Sequence, residues 1–195
     1  MTLNMVLFGP PGSGKGTQAA KIAEKYNMTQ ISTGNLLREE ITNKTKLGLE
    51  VKNLVHQGSL VPDDIIINII SKHISHNLKN NIGHIFDGFP RTIEQAKQLD
   101  QLLSECNSSI SVVVSLIVSD NDIKKRLINR GKELNRKDDA SIEIIDNRIK
   151  EYYSKTLQVS KFYKNQGKLF EINGNDNIDA VFNNVVNIIN QKYED

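Results

Sequence analysis

The chain has 195 residues, of which 38% are hydrophobic, and this length and composition predict one large globular domain with a substantial core. Its 25 basic and 23 acidic residues leave a net charge of +2, which argues against a nucleic-acid-binding or membrane-surface protein. The single cysteine, Cys106, excludes an internal disulfide and a multi-cysteine zinc site, and we interpret it as a partly buried thiol without a chemical role.

The first predicted elements enclose a glycine-rich turn. An apolar run at 3–8 predicts a buried parallel strand, and residues 15–26 have the apolar spacing of an amphipathic helix. The turn between them has the spacing G-x-x-x-x-G-K, which is that of a Walker A P-loop. Gly9, Gly14 and Lys15 fill this pattern.

The chemistry of this turn suits a polyphosphate. Glycines let the backbone approach bulky phosphates, and the freed N–H groups bind negative charge together with the N-terminal end of the following helix. Lys15 adds a mobile positive charge for the β- and γ-phosphates. The motif departs from its strict form, because Gly16 stands where Ser or Thr is usual and Thr17 follows it. A surface loop with a lysine is the simpler interpretation, but the strand before and the helix after favour the P-loop.

Two helices are predicted where the alternation of strand and helix requires only one. A short strand at 28–31 is followed by helices at 36–41 and 49–56, and another helix runs from 61 to about 78. The extra helix lies in the segment 32–61. We expect this segment to be a mobile cover over the P-loop face of the sheet.

A third strand is predicted at 83–87, and it ends in an acidic residue. Asp87 is its last residue, which is the Walker B arrangement downstream of a P-loop. Such a carboxylate lies beside the phosphates and holds Mg²⁺, often through water. The alternative is a helix-capping or turn aspartate. We favour Asp87 as the magnesium residue because the P-loop precedes it.

The rest of the chain continues the alternation. The predicted elements are a helix at 92–105, a central strand at 110–118, a helix at 120–130 capped by Asp120 or Asn121, a charged loop at 131–139, a long helix at 141–163, a strand at 168–173 and a closing helix at 178–193. We therefore predict an α/β fold, a three-layer P-loop NTPase-like domain with a five-stranded parallel sheet. The charged loop is expected to be a second mobile cover.

Six arginines lie near the predicted ends of elements or on helices that face the loops. They are Arg38, Arg91, Arg126, Arg130, Arg136 and Arg148. Phosphoryl transfer requires alignment and positive charge more than covalent chemistry, and the planar, permanently charged guanidinium suits it. One arginine alone is usually a solvated surface residue, but six around one P-loop favour a phosphoryl-transfer site.

These motifs together resemble the adenylate kinases, a family of nucleoside-monophosphate kinases. The motifs that carry the resemblance are G-P-P-G-S-G-K-G-T at 9–17, S-T-G-N-L-L-R at 32–38, D-G-F-P-R-T-I-E-Q at 87–95 and N-R-K-D-D at 135–139. They occur in the order of the family and the resemblance covers nearly the whole chain. It implies a core at 1–31, 62–128 and 140–195, an AMP-binding helical insertion at 32–61 and a short lid at 129–139.

The resemblance implies the following nucleotide contacts. ATP would be bound by Gly12, Ser13, Gly14, Lys15, Gly16, Thr17, Arg126 and Arg130, and by the main chain around Asp176. AMP would be bound by Thr33, Arg38, Ser59, Leu60, Val61, Gly88, Phe89, Pro90, Arg91, Gln95, Arg136 and Arg148. Gln95 would read the adenine with its amide, Thr33 would lie near the base, and Arg38 and Arg91 would hold the phosphate. The catalytic residues would be Lys15, Arg91, Arg130, Arg136 and Arg148.

Three features depart from the family pattern. Asn35 stands where Asp is usual, and we expect it to keep similar capping bonds. The spacing from Arg136 to Arg148 is one residue longer than in much of the family, which puts Arg148 one helical step away unless a kink or bulge absorbs the residue. The lid is of the short type and lacks the zinc-binding extension, so no structural zinc is expected.

The resemblance implies the reversible, Mg²⁺-dependent reaction of ATP and AMP to two ADP. A UMP- or CMP-directed kinase of the same fold is the nearest alternative, but Thr33 and Gln95 favour AMP, because pyrimidine-directed relatives tend to carry Ala and Asn there. A P-loop switch or regulatory ATPase, and a nucleotide-binding protein without catalysis, are further alternatives.

We expect a monomer that binds no nucleic acid and no membrane. No signal peptide is recognised and no apolar run could span a bilayer, so we expect a cytoplasmic location.

Overall fold

A parallel sheet of five strands organises the fold. The computed structural model describes residues 2–78 and 82–193. The strands are β1 (Asn4–Phe8), β2 (Thr29–Ser32), β3 (His84–Asp87), β4 (Val112–Ile117) and β5 (Leu169–Asn173). They lie in the order β2-β3-β1-β4-β5, and every pairing is parallel. The predicted five-stranded α/β architecture is confirmed.

Helices follow the strands and cover both faces of the sheet. They are α1 (Lys15–Tyr26), α2 (Thr33–Thr42), α3 (Lys46–His56), α4 (Asp63–Leu78), α5 (Ile93–Ser104), α6 (Asp120–Glu133), α7 (Ile142–Glu151), α8 (Leu157–Asn165) and α9 (Ile178–Tyr193). A 3-10 turn at Lys137–Asp139 precedes α7, and a π-helical segment at Tyr152–Thr156 joins α7 to α8.

Strand β1 shows why the sheet has two covered faces. Successive side chains of a strand point to opposite faces. Val6 and Phe8 belong to a core cluster that includes residues of α4, α5 and α8. Met5 and Leu7 belong to a second cluster with residues of α1 and α9. The central strand is therefore buried on both sides, as the continuous apolar run predicts.

Several predicted boundaries were wrong. Helix α2 begins at Thr33, three residues earlier than predicted, and α6 continues to Glu133 into the predicted loop. Ser119, rather than Asp120 or Asn121, caps α6, because its hydroxyl accepts a hydrogen bond from the backbone N–H of Asp122 over 3.3 Å.

Two further predictions needed correction. The long helix predicted at 141–163 contains the π-helical segment, which periodicity of apolar residues does not reveal because one inserted residue leaves the pattern on either side intact. Cys106 is exposed rather than partly buried. Within residues 2–78 and 82–193, no helix has both the length and the apolar character that crossing a bilayer requires.

Candidate nucleotide-binding site

A cleft of about 590 Å³ opens at the carboxyl ends of the strands. In the register of the sheet, Asp87 at the end of β3 pairs with Leu7 on one side and with Ser32 on the other. The P-loop, helix α2 and the turn after β3 therefore leave the sheet at one edge. Ligands of open parallel sheets bind at this edge.

Most of the predicted site residues line this cleft. They are Gly12, Gly14, Lys15, Gly16, Thr17, Arg38, Leu60, Asp87, Gly88, Pro90, Arg91, Arg126, Arg130, Arg136 and Arg148. All six arginines identified in the sequence thus converge on the space in front of the P-loop.

The P-loop has backbone conformations that require glycine. Gly9 has φ +141°, and a Cβ there would lie 2.6 Å from the hydroxyl of Ser13 and 2.9 Å from the carbonyl of Leu116. Gly14 caps α1 with φ +95°, where L side chains are strained even though no neighbour in the described part of the chain crowds the position. Gly14 thus sets the turn from which the N-terminal N–H groups of α1 face the cleft, which suits an anion.

Lys15 is folded against the loop that carries it. Its Nζ donates hydrogen bonds to the carbonyl oxygens of Gly9 and Pro10 over 2.7 and 2.8 Å, and to the hydroxyl of buried Ser13 over 3.4 Å. Burial lowers the pKa of Lys15 to about 7; the charge of Asp87 acts in the opposite direction, and three arginines of the cleft add to the lowering. The lysine is therefore placed where a phosphate would restore its full positive charge.

Asp87 lies beside the start of α1. Its Oδ2 would be 3.5 Å from a Cβ at Gly16, and it accepts a hydrogen bond from the hydroxyl of Ser32 over 3.1 Å. The carboxylate and the hydroxyl of Thr17, another cleft residue, are hard oxygen donors of the kind that Mg²⁺ prefers. These residues fit a magnesium ion bound together with a polyphosphate.

Two buried carboxylates hold the arginines of the cleft. Asp139 accepts two hydrogen bonds from the guanidinium of Arg130, over 2.8 and 3.1 Å, and a third from Arg148. Asp138 pairs with Arg148 over 3.0 Å and with Arg136 over 3.6 Å. Both acids belong to the N-R-K-D-D motif, but sequence reasoning assigned them no role, because the nine-residue separation of Asp139 from Arg130 and Arg148 is not a periodic spacing within one helix or strand.

The same carboxylates place Arg148 in the cleft. Burial by itself raises the pKa of Asp138, but the charges of Arg148, Arg136 and Arg38 outweigh it and hold that pKa below its usual value. The 3-10 turn that carries Asp138 and Asp139 lies between Arg136 and Arg148 in the chain. Despite the longer spacing, Arg148 therefore faces the same cleft as the other arginines.

Arg38 and Arg91 reach the cleft from helix α2 and from the turn after β3. The guanidinium of Arg91 donates to the carbonyl of Gly88 over 2.7 Å, and burial lowers its pKa to about 10, which leaves it charged at neutral pH. Arg38 donates to the side-chain oxygen of Asn35 over 2.6 Å. Asn35 is thus an arginine partner rather than the predicted helix-capping residue, and α2 is instead preceded by Ser32.

A smaller pocket adjoins the cleft and shares Arg38, Arg91 and Arg148 with it. Its lining includes Thr33, Leu37, Val55, Ser59, Leu60, Val61, Ile66 and Gln95. Thr33 is buried and its hydroxyl donates to the carbonyl of Gly88 over 2.8 Å. Residues of segment 32–61 and of the turn after β3 line this pocket together, and its use by a second nucleotide stays a prediction.

Three predicted contact residues lie outside both pocket linings. Ser13 is only 2% exposed, and its hydroxyl accepts a hydrogen bond from Lys15 over 3.4 Å. Phe89 is only 1% exposed and its ring packs 6.2 Å from that of Phe86, in the core beneath the cleft. Asp176 is exposed, accepts a hydrogen bond from Asn173 over 2.9 Å and is absent from the cleft lining, although Arg126 donates to the nearby carbonyl of Gly174 over 3.2 Å. The π-helical segment, which no sequence signal indicated, contributes Tyr152 and Thr156 to the lining.

The P-loop, the acid after β3 and the arginine-lined cleft define a P-loop nucleotide-binding enzyme of the phosphotransferase class. The family model for adenylate kinase matches residues 7–168. The chain is 47% identical to the adenylate kinase of Azobacteroides pseudotrichonymphae, over 98% of this chain and 99% of that protein. It is 43% identical to the adenylate kinase of Bacteroides thetaiotaomicron and 40% identical to that of Flavobacterium psychrophilum, over at least 96% of this chain and 98% of each relative. The chain therefore belongs to the adenylate kinase family, as its motifs predicted.

Proposed function

We propose that this protein catalyses reversible phosphoryl transfer from ATP to AMP, giving two ADP. The observation that carries the proposal is that Arg38, Arg91 and Arg148 line both of two adjoining pockets, one that contains the P-loop with Lys15 and one that segment 32–61 lines. A hydrolase or switch needs one nucleotide site, whereas transfer between nucleotides needs two sites that meet at their phosphates.

On this proposal each pocket takes one substrate. The P-loop residues 12–17, with Arg126 and Arg130, bind the phosphates of ATP. The smaller pocket takes the adenine of AMP, where its aliphatic side chains offer apolar contacts to a flat base and Gln95 supplies an amide. Arg38 and Arg91 then hold the AMP phosphate. The contact of ATP with the main chain around Asp176 stays a prediction.

The chemical step needs no general base, because the phosphate of AMP is already anionic. One of its oxygens forms a bond to the γ-phosphorus of ATP, and the bond from that phosphorus to the β-phosphate oxygen breaks, so that both products are ADP. Lys15, Arg130, Arg136 and Arg148 stabilise the charge on the transferring group. Mg²⁺, which is typical of this family, would neutralise phosphate charge when held near Asp87 and Thr17.

Segments 32–61 and 129–139 act as covers that exclude water, which would otherwise compete with AMP as the acceptor. Residues 1–31, 62–128 and 140–195 form the core between them. Among the described residues no group of three or more His, Cys, Asp or Glu side chains that could hold a metal ion is found, and a short lid without zinc stays a prediction. We further propose that the protein works as a cytoplasmic monomer.

A panel of acceptors tests the proposal. ADP formation from Mg-ATP is measured with AMP, UMP, CMP and GMP, and without an acceptor. We expect turnover that depends on an acceptor and is fastest with AMP. Fastest turnover with UMP or CMP would instead support the pyrimidine-directed alternative, which the relatives do not favour. Slow hydrolysis that no acceptor stimulates would indicate a switch or regulatory ATPase.

A further inference from the structure

A carboxylate behind the smaller pocket holds the amide of Gln95. Asp63, in the first turn of α4, accepts a hydrogen bond from Nε2 of Gln95 over 2.7 Å. Its second oxygen accepts from the hydroxyl of Thr92 over 2.7 Å. Asp63 is not among the residues that line the pocket. It therefore acts on the pocket only through its neighbours.

Gln95 is held from both ends of its amide. Its Oε1 accepts from the backbone N–H of Arg91 over 2.7 Å, while Nε2 donates to Asp63. Thr92 accepts from the backbone N–H of Gln95 over 3.1 Å, so T-x-x-Q at 92–95 forms a variant of the capping box at the start of α5. This box explains part of the geometry, but it does not require the carboxylate of Asp63.

The two contacts permit only one orientation of the amide. The carboxylate of Asp63 offers only acceptors, and the backbone N–H of Arg91 is a donor. If Oε1 and Nε2 of Gln95 exchanged places, Oε1 would face the carboxylate and Nε2 would face the N–H, and neither pair could form a hydrogen bond. In the observed orientation Nε2 keeps one unused N–H and Oε1 keeps one unused lone pair. Gln95, only 2% exposed, still lines the pocket and presents a fixed order of donor and acceptor to a base.

That order decides which purine the amide can pair with. Adenine carries a donor at its 6-amino group beside an acceptor at N1, whereas a 6-oxopurine carries an acceptor at O6 beside a donor at N1. An amide in one orientation matches one of these edges, and the reversed amide matches the other. We infer that Asp63 is a positioning residue that fixes the amide of Gln95 and so sets the preference for a 6-aminopurine over a 6-oxopurine monophosphate.

This inference rests on the proposed function, in which Gln95 reads the base of AMP. The test is Asp63→Asn, with AMP and IMP as phosphoryl acceptors. These nucleotides are suitable because their bases differ only in the group at the 6-position and in whether N1 carries a hydrogen. The matched control is Asp64→Asn, which removes the same charge from the same helical turn at an exposed site. Thermal unfolding of both variants reports on the start of α4.

We expect Asp63→Asn to raise KM for AMP with little change in kcat, and to lower the ratio of kcat/KM for AMP over IMP by about tenfold, whereas Asp64→Asn leaves the ratio unchanged. If Asp63 were merely structural, the substitution would lower the activities with AMP and with IMP by the same factor, and an unchanged ratio overturns the inference.

The variant Gln95→Ala distinguishes a failure of the inference on Asp63 from a failure of the proposed role of Gln95. If Gln95→Ala lowers the ratio and Asp63→Asn does not, only the inference on Asp63 fails. If neither changes it, the reading of the base by Gln95 fails as well.

Discussion

Arg38 and Asp138 form an ion pair between segment 32–61 and segment 129–139, with 3.3 Å between Nη1 and Oδ2. Arg148 and Arg136 pair with the same carboxylate. One buried acid thus joins both predicted covers to α7, in a position where several positive charges would otherwise repel one another. The nucleotide phosphates of the proposed reaction would bring further negative charge to this same set of arginines.

The first prediction concerns the removal of this charge. Asp138→Asn should lower the free energy of unfolding of the nucleotide-free protein by about 3 kcal/mol at pH 7, because it removes the counter-charge of Arg38 and Arg136 and one of the two that pair with Arg148. Chemical denaturation measures this. Asp146→Asn is the control, since Asp146 is half exposed and pairs with Lys124 at the surface, where a loss below about 1 kcal/mol is expected. Equal losses in the two variants would contradict the central role of Asp138.

The pH dependence of this contribution has a definite sign. The pKa of Asp138 is lowered in the folded protein, so the folded state binds fewer protons than the unfolded chain. The stabilisation by Asp138 is therefore complete above the ordinary pKa of 3.8 and is lost as the pH falls below it towards the lowered folded pKa. Asp138→Asn should remove this part of the acid sensitivity.

A second prediction concerns the P-loop lysine. Lys15→Ala should lower kcat/KM for ADP formation by about a thousandfold, because the transferring phosphoryl group loses a pre-placed charge. Lys21→Ala is the control on the same helix, since Lys21 is partly exposed and pairs with Asp179 at the surface. Thermal unfolding shows whether loss of the hydrogen bonds to the P-loop carbonyls also destabilises the fold. A Lys15→Ala enzyme with near-normal AMP-dependent turnover would disprove the assigned role.

The sequence predicted best what depends on local pattern. The strands, helix α1 and the P-loop follow from apolar periodicity and glycine spacing, and α1 was predicted from its first to its last residue. The spacing of Thr92 and Gln95 also predicts the capping box at 92–95, although Gln95 was interpreted only as a base-reading residue.

The sequence could not predict contacts that the tertiary fold alone creates. Arg38 and Asp138 are separated by 100 residues, and Asp63 and Gln95 by 32. Neither pair has a periodic signal. The same applies to the π-helical segment, which lines the cleft although its sequence continues an ordinary helical pattern.

A third prediction follows from the pKa of Lys15. Its folded value of about 7 lies below the ordinary 10.5, so around pH 8 the lysine of the nucleotide-free protein is mostly neutral. Bound phosphates favour the charged form, so ATP binding at pH 8 should take up close to one proton, and affinity should fall as the pH rises above 7. Calorimetry in two buffers of different ionisation enthalpy measures the uptake. Lys15→Ala should abolish it, and equal uptake in both proteins would rule out this lysine as the source.

A fourth prediction uses two glycines with the same backbone strain. Gly58 and Gly167 have φ +71° and +69°, so alanine at either position should cost about 1 kcal/mol. A Cβ at Gly58 would also lie 2.5 Å from Cγ of Arg148 and 3.0 Å from the carbonyl of Ile144, whereas at Gly167 no atom of the described residues lies within 4 Å. Gly58→Ala should therefore lose about 1–3 kcal/mol more than Gly167→Ala in chemical denaturation, since Arg148 or the backbone must move.

The same pair of variants also tests the place of Arg148 in the reaction. Displacing Arg148 should lower kcat in Gly58→Ala, because a charge that is misplaced by about 1 Å can cost about a hundredfold in rate. Gly167→Ala carries the strain without the displacement, so its kcat should match that of the unmodified protein. Should Gly58→Ala lose stability but keep full kcat, Arg148 would not contact the transferring phosphoryl group, and its longer spacing from Arg136 would have removed it from catalysis.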